Sequence, residues 1–104
     1  MDRIEWLEPW QPAERGQKAA LERQLFAETS RGHVLWGESA VLVATCIQSD
    51  DALFLLPDGR VAQVHLTWSG TPERDPQWPH TEIFGSLDDW AERRMASDHL
   101  DWTS

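Results

Sequence analysis

Four histidines, His33, His65, His80 and His99, are the side chains of this sequence best suited to moving protons near neutral pH. His65 lies in the run VAQVHLTW beside Gln63 and Thr67, and His80-Thr81-Glu82 sets a second imidazole close to a carboxylate. Should the intervening loop fold back, His65, His80 and Glu82 would meet within hydrogen-bond reach, the arrangement a small enzyme or small-molecule binder needs for acid–base work. Against this, a histidine beside Gln and Thr is also an ordinary half-exposed strand residue. His33, just past a predicted helix end, fits contacts to terminal carbonyls better than a metal.

Other chemistry is poorly supported. No two histidines have the i,i+4 spacing of a helical zinc site and there is no C-x-x-C, so neither a metal nor a cofactor is expected. Cys46, the single cysteine, sits in the apolar run Ala40 to Ile47 with no basic neighbour, and reads as a small buried hydrophobe. Ser69-Gly70 lacks the G-x-S-x-G elbow and reads as a turn. Neither a glycine-rich phosphate loop nor an EF-hand pattern occurs. Asp50-Asp51 and Asp88-Asp89 are explained by a turn and a helix N-terminus. The balance therefore leans away from an enzyme, with the site of His65, His80 and Glu82 kept as the alternative.

Aromatic content points elsewhere. The chain holds seven tryptophans, a residue that combines large buried area with an N–H donor and is enriched at binding hot spots. Trp36, Trp68 and Trp90 lie in or beside regular elements and read as core. Trp78, bracketed by Pro76 and Pro79, is the best candidate for a rigid exposed anchor, although packing against the domain is also open to it. The candidate binding surface is therefore Trp68, Trp78, Pro79 and His80, on the loop 69–84 and the third strand that leads into it.

Charge narrows the partners. Eighteen acidic and nine basic side chains give a net charge of −9 in 104 residues, which disfavours phosphate backbones and anionic lipid and favours a basic protein partner. The same acidity also serves solubility. The start MDRIEWLEPWQP lacks the basic and apolar regions of a secretory signal, and no stretch approaches the roughly 18 apolar residues of a membrane span. With no disulfide possible, a cytoplasmic location is expected. A chain of this length fits one domain, 1–104, with an arm at 1–12 and a tail at 99–104.

The elements that must position these residues are legible in the pattern. Pro9 and Pro12 interrupt the arm, leaving Trp6 and Trp10 to pack on the domain or await a partner. Residues 12–31 predict a helix with Leu21 and Leu25 on its inner face, widened by Ala20, Phe26 and Ala27, stopping near Gly32. Ala40–Ile47, Ala52–Leu56 and Val61–Trp68 predict an antiparallel meander with Ala52–Leu56 in the middle. Turns at Ser49–Asp51 and Pro57-Asp58-Gly59-Arg60 join its strands, and a short fourth strand is possible at Glu82-Ile83-Phe84. In the third strand Ala62, Val64, Leu66 and Trp68 share one face, and Gln63, His65 and Thr67 the other. The first two strands are apolar on both faces, so both faces of the sheet need cover: one from the long helix, the other from a C-terminal helix, the Trp-bearing arm and loop, or a second subunit. Ser86 predicts that helix's N-cap, with Asp88 and Asp89 in its first turn. The fold class is thus α+β, three to four antiparallel strands with a long N-terminal and a shorter C-terminal helix.

The run VHLTWSGTPERDPQWPHTEIF, followed by Ser-Leu-Asp-Asp-Trp, resembles a pattern in small bacterial proteins of unassigned function. The likeness spans roughly residues 17–98, with L-T-W-S-G and W-P-x-T its most specific pieces. It implies a compact α+β domain and assigns no activity, cofactor or site residue; the oligomeric state stays open between monomer and homodimer, as the two apolar sheet faces leave it.

Overall fold

The computed structural model describes residues 4–68 and 78–104. Residues 69–77, which carry the expected Ser69-Gly70 turn and the proline-interrupted centre of the loop, lie outside the described residues. The fold is α+β. A five-stranded antiparallel sheet runs in sequence order: β1 (Trp10–Pro12), β2 (Val41–Cys46), β3 (Asp51–Leu55), β4 (Val61–His65) and β5 (Thr81–Phe84). The expected meander is its centre, with β3 in the middle. The extra strand is β1, recruited from the arm: Trp10, Gln11 and Pro12 pair with Cys46, Thr45 and Ala44. Proline is tolerated there because an edge strand need not donate on its outer side.

Helix α1 (Arg15–Glu28) precedes the meander. Gln17 caps its first turn by accepting the Glu14 N–H at 2.9 Å. It ends at Glu28, with Thr29 as its C-cap, earlier than Gly32. Gly32 still takes the expected positive φ of +100°, but in the turn beyond the helix. After β5, α2 (Leu87–Trp90), a π-helical turn (Ala91–Met95) and α3 (Ala96–Thr103) form one continuous helical run. The Ser86 side chain caps it by accepting the Asp89 N–H at 3.0 Å. The residues expected as a tail from His99 continue this helical run to Thr103, and His99 Nδ1 bonds the Glu8 carbonyl oxygen at 2.6 Å.

Apolar residues on both parities of β2 and β3 demand two cores, and the chain builds both. Leu25 of α1 packs with Leu42, Phe54, Val64 and Leu66 on one face. Trp90 and Met95 pack with Trp10, Ala44, Leu53 and Val61 on the other, where Trp6 joins them. The C-terminal helix and the arm therefore cover the second face. Trp90 meets Trp10 edge-on with ring centroids 5.0 Å apart, and its N–H donates to Gln63 Oε1 at 2.9 Å. Three expected core residues are not core: Phe26 is 70% exposed, Trp36 50% and Trp68 52%. Phe26 falls on the solvent side of α1, and Trp36 lies in the turn beyond it. No helix among the described residues is long and apolar enough to cross a membrane.

The turn between β3 and β4 forms as expected, with Gly59 at φ +93° and its N–H donating to the Leu56 carbonyl at 3.0 Å. Asp58 accepts from the Arg60 backbone N–H at 3.1 Å and from Arg60 Nε at 2.7 Å. These bonds, the backbone one foremost, hold its carboxyl below the ordinary 3.8. The carboxylate's support of the turn is thus complete above that value and is lost as pH falls through the lowered one. Proton NMR should show the Arg60 amide and Nε–H shifting with the Asp58 carboxyl only below pH 3.8. Trp90→Ala should cost about 3–5 kcal/mol in urea unfolding, the usual penalty for emptying a large aromatic site.

Candidate functional site

Two polar side chains, both buried, control the described ends of the Trp-Pro loop. Glu28, the last residue of α1, is fully buried, yet its carboxylate is well supplied with donors. Oε1 accepts from the Thr67 N–H at 2.8 Å and the Thr67 hydroxyl at 2.9 Å; Oε2 accepts from the Trp68 N–H at 2.8 Å and from Gln24 Nε2 at 2.6 Å. A carboxylate can enter a core only with such a set of partners. Its grip fixes the backbone where β4 ends. There Trp68 adopts φ +62°, a conformation disfavoured for a bulky side chain. The strand alternation that should turn Trp68 inward holds through Leu66 and fails at this residue, leaving the indole half exposed.

His33 performs the matching task at the other stem. It is buried at 5% exposure. Its Nδ1 accepts the Leu35 N–H at 2.9 Å, so the ring proton is on Nε2, which donates to the Pro79 carbonyl at 2.8 Å. The Thr81 hydroxyl donates to the same carbonyl at 2.9 Å. Pro79 is buried beneath these bonds, while its neighbour Trp78 is 45% exposed and its ring centroid lies 6.3 Å from that of His80. Grooves adjoin the exposed indoles: one of about 420 Å³ between Phe26 and Trp36, and one of about 560 Å³ lined by Trp68, Leu21, Ile47 and Leu66.

The second cluster sits where β3, β4 and β5 end on the face covered by the C-terminal helix. His65 pairs with Asp51 across the ladder, and its Nδ1 lies 2.5 Å from Asp51 Oδ1. Gln63 Nε2 donates to Asp51 Oδ2 at 2.9 Å. The His65 backbone N–H donates to the His80 carbonyl at 2.9 Å, and His80 Nε2 is 3.9 Å from Glu82 Oε1. Arg94 holds both Glu82 oxygens at 3.1 Å. The structure thus brings His65, His80 and Glu82 to one end of the sheet. It gives the His65 ring to Asp51, however, and the Glu82 carboxylate to Arg94. Cys46 is one step past the Thr45–Ala52 pair, on the far side of β3 from His65. Two strand spacings, about 9–10 Å, keep its thiol from serving as a partner of that imidazole. Among the described residues no cluster of His, Cys, Asp or Glu could hold a metal.

Sequence reasoning missed Glu28 and Asp51. Nothing in a helical pattern marks Glu28 as a carboxylate that strand ends will surround. Asp51 looked like a turn residue. Tightening the turn by one residue extends β3 back to Asp51 and sets it opposite His65, so strand register was the signal available. Compared with known proteins, the chain matches no family model, no curated protein and no solved structure.

Glu28→Ala strips three N–H or O–H groups of β4's end and one amide of their acceptor. At about 1–3 kcal/mol per buried orphan, with solvent recovering part, urea unfolding should show a loss of at least about 3 kcal/mol. His33→Ala should leave the global midpoint closer to wild type while hydrogen exchange speeds up at Leu35 and Thr81.

Proposed function

We propose that this protein is a protein-interaction module, a regulator or inhibitor that binds a basic partner through Trp68 and Trp78. The observation that carries the reading is the pair of buried clamps, Glu28 and His33, which fix the backbone at two half-exposed tryptophans. Exposing a large indole forfeits burial energy, and holding Trp68 at positive φ adds strain. Both costs make sense where a partner recovers them: preset aromatic anchors lose little conformational entropy on binding, and tryptophan is the commonest kind of hot spot. The net charge of −9 favours encounter with a basic surface. Pro79 and His80 border the Trp78 anchor and complete the proposed contact.

The test is capture from host lysate followed by titration calorimetry with the captured protein. Trp78→Ala and Trp68→Ala should each weaken binding by at least about 2 kcal/mol while leaving the melting temperature near wild type. Leu100→Ala, on an exposed side chain of α3, should bind as wild type does. Unchanged affinity in both tryptophan variants would remove the proposed surface.

A further inference from the structure

The Asp51–His65 pair plays no part in the binding surface just described, and its hydrogen bonds run in one direction. The Trp90 indole, fully buried, can only donate, so it fixes Gln63 with Oε1 toward it at 2.9 Å. The Gln63 amide nitrogen must then face Asp51 Oδ2, also at 2.9 Å, which leaves Oδ1 for His65. An ionised carboxylate only accepts; Nδ1 therefore carries the ring proton and Nε2 keeps its lone pair. The His65 side chain is 50% exposed and Asp51 21%, whereas Gln63 and Trp90 behind them are buried. A core-anchored chain thus sets the tautomer of a solvent-facing imidazole, the arrangement by which a carboxylate prepares a histidine to accept a proton.

We propose that His65 is a general base for water, with Asp51 as its positioning residue, and that the substrate class is uncharged esters with a good leaving oxygen, such as aryl esters. As the water oxygen bonds to the acyl carbon, one water proton passes to Nε2 and the carbonyl π pair moves onto oxygen. When that pair returns, the C–O bond to the leaving group breaks, its electrons go to the aryl oxygen, and the Nε2 proton follows. The products are a carboxylic acid and a phenol, and the imidazole is restored. Charge selects the substrate. On the Asp51 side of the pair, Asp51, Asp98 and Asp101 line a cleft of about 230 Å³ in which Arg94 is the one guanidinium among the described residues, a balance that disfavours anionic esters. Arg94 is engaged by Glu82 at 3.1 Å and lies 3.8 Å from Asp98, so it is not available to a developing oxyanion. The burden then falls on the leaving group, hence the aryl ester.

The experiment follows p-nitrophenyl acetate hydrolysis by the full chain. Wild type should exceed an equal concentration of free imidazole and run slower in D2O, as proton transfer in the rate-limiting step requires. His65→Gln should lose at least about tenfold in kcat/KM with its melting temperature kept, since general-base contributions are typically a hundredfold or more. Asp51→Asn should lower kcat with KM unchanged, a split that a merely structural role would not produce. His99→Gln and Leu100→Ala, the latter on an exposed side chain of α3, should hydrolyse as wild type does. A rate no better than free imidazole, a full rate in His65→Gln, or no D2O effect would each overturn the proposal.

Discussion

A carboxylate removed from water must be met by donors, and in this protein that requirement at Glu28 ties the architecture together. Four donors converge on the side chain, three of them from Thr67 and Trp68, nearly forty residues away. The end of α1 is thereby fastened to the end of β4, on the side of the sheet that α1 covers. Glu22, nearly two turns earlier, does the same at the start of β2 by accepting the Leu42 N–H at 2.9 Å. Helix and sheet are thus joined by directional bonds as well as by the contacts of Leu25. The direction matters because apolar packing alone tolerates sliding, whereas a carboxylate with four partners does not.

The opposite face is organised around a tryptophan. Trp90 fills the gap between the C-terminal helix and the sheet, receives the edge of Trp10 and leans against Trp6 at 6.1 Å. Its single polar atom is also the start of the chain through Gln63 and Asp51 to His65. Packing and polarity are therefore coupled on this face: the residue that closes the core also decides which way an amide points, and so which imidazole nitrogen holds the ring proton.

Much of the fold was legible because it follows from local rules. Alternation in 61–66, the Asp-Gly turn, the Ser86 cap and the two-sided apolar strands each name an element or demand a cover. The arm's role as a strand was hidden because Pro9 and Pro12 read as breakers, and only an edge position excuses them. Trp68 and Trp36 were misplaced for a common reason. Side-chain size argues for burial, while the backbone that turns each indole outward is set by Glu28 and by the turn beyond α1, neither visible to a periodic pattern. For the candidate site, the residue types at 65, 80 and 82 were read, and their neighbourhood was found; their true partners, Asp51 and Arg94, depend on register and on a helix that meets the sheet from elsewhere in the sequence.

Bonds between the arm and the C-terminal helix bear on how the chain folds as it is made. Trp10 Nε1 donates to Asp98 Oδ2 at 2.8 Å, and His99 reaches Glu8 at 2.6 Å, contacts separated by 88 and 91 positions. The α1 face can close as soon as β4 has been synthesised. The other face, with Trp10 already in place on β2, must stay open until Trp90 and Met95 have left the ribosome. Translation order thus divides one small sheet into an early side and a late side, and the late side stands as uncovered apolar surface until the C-terminal helix has emerged.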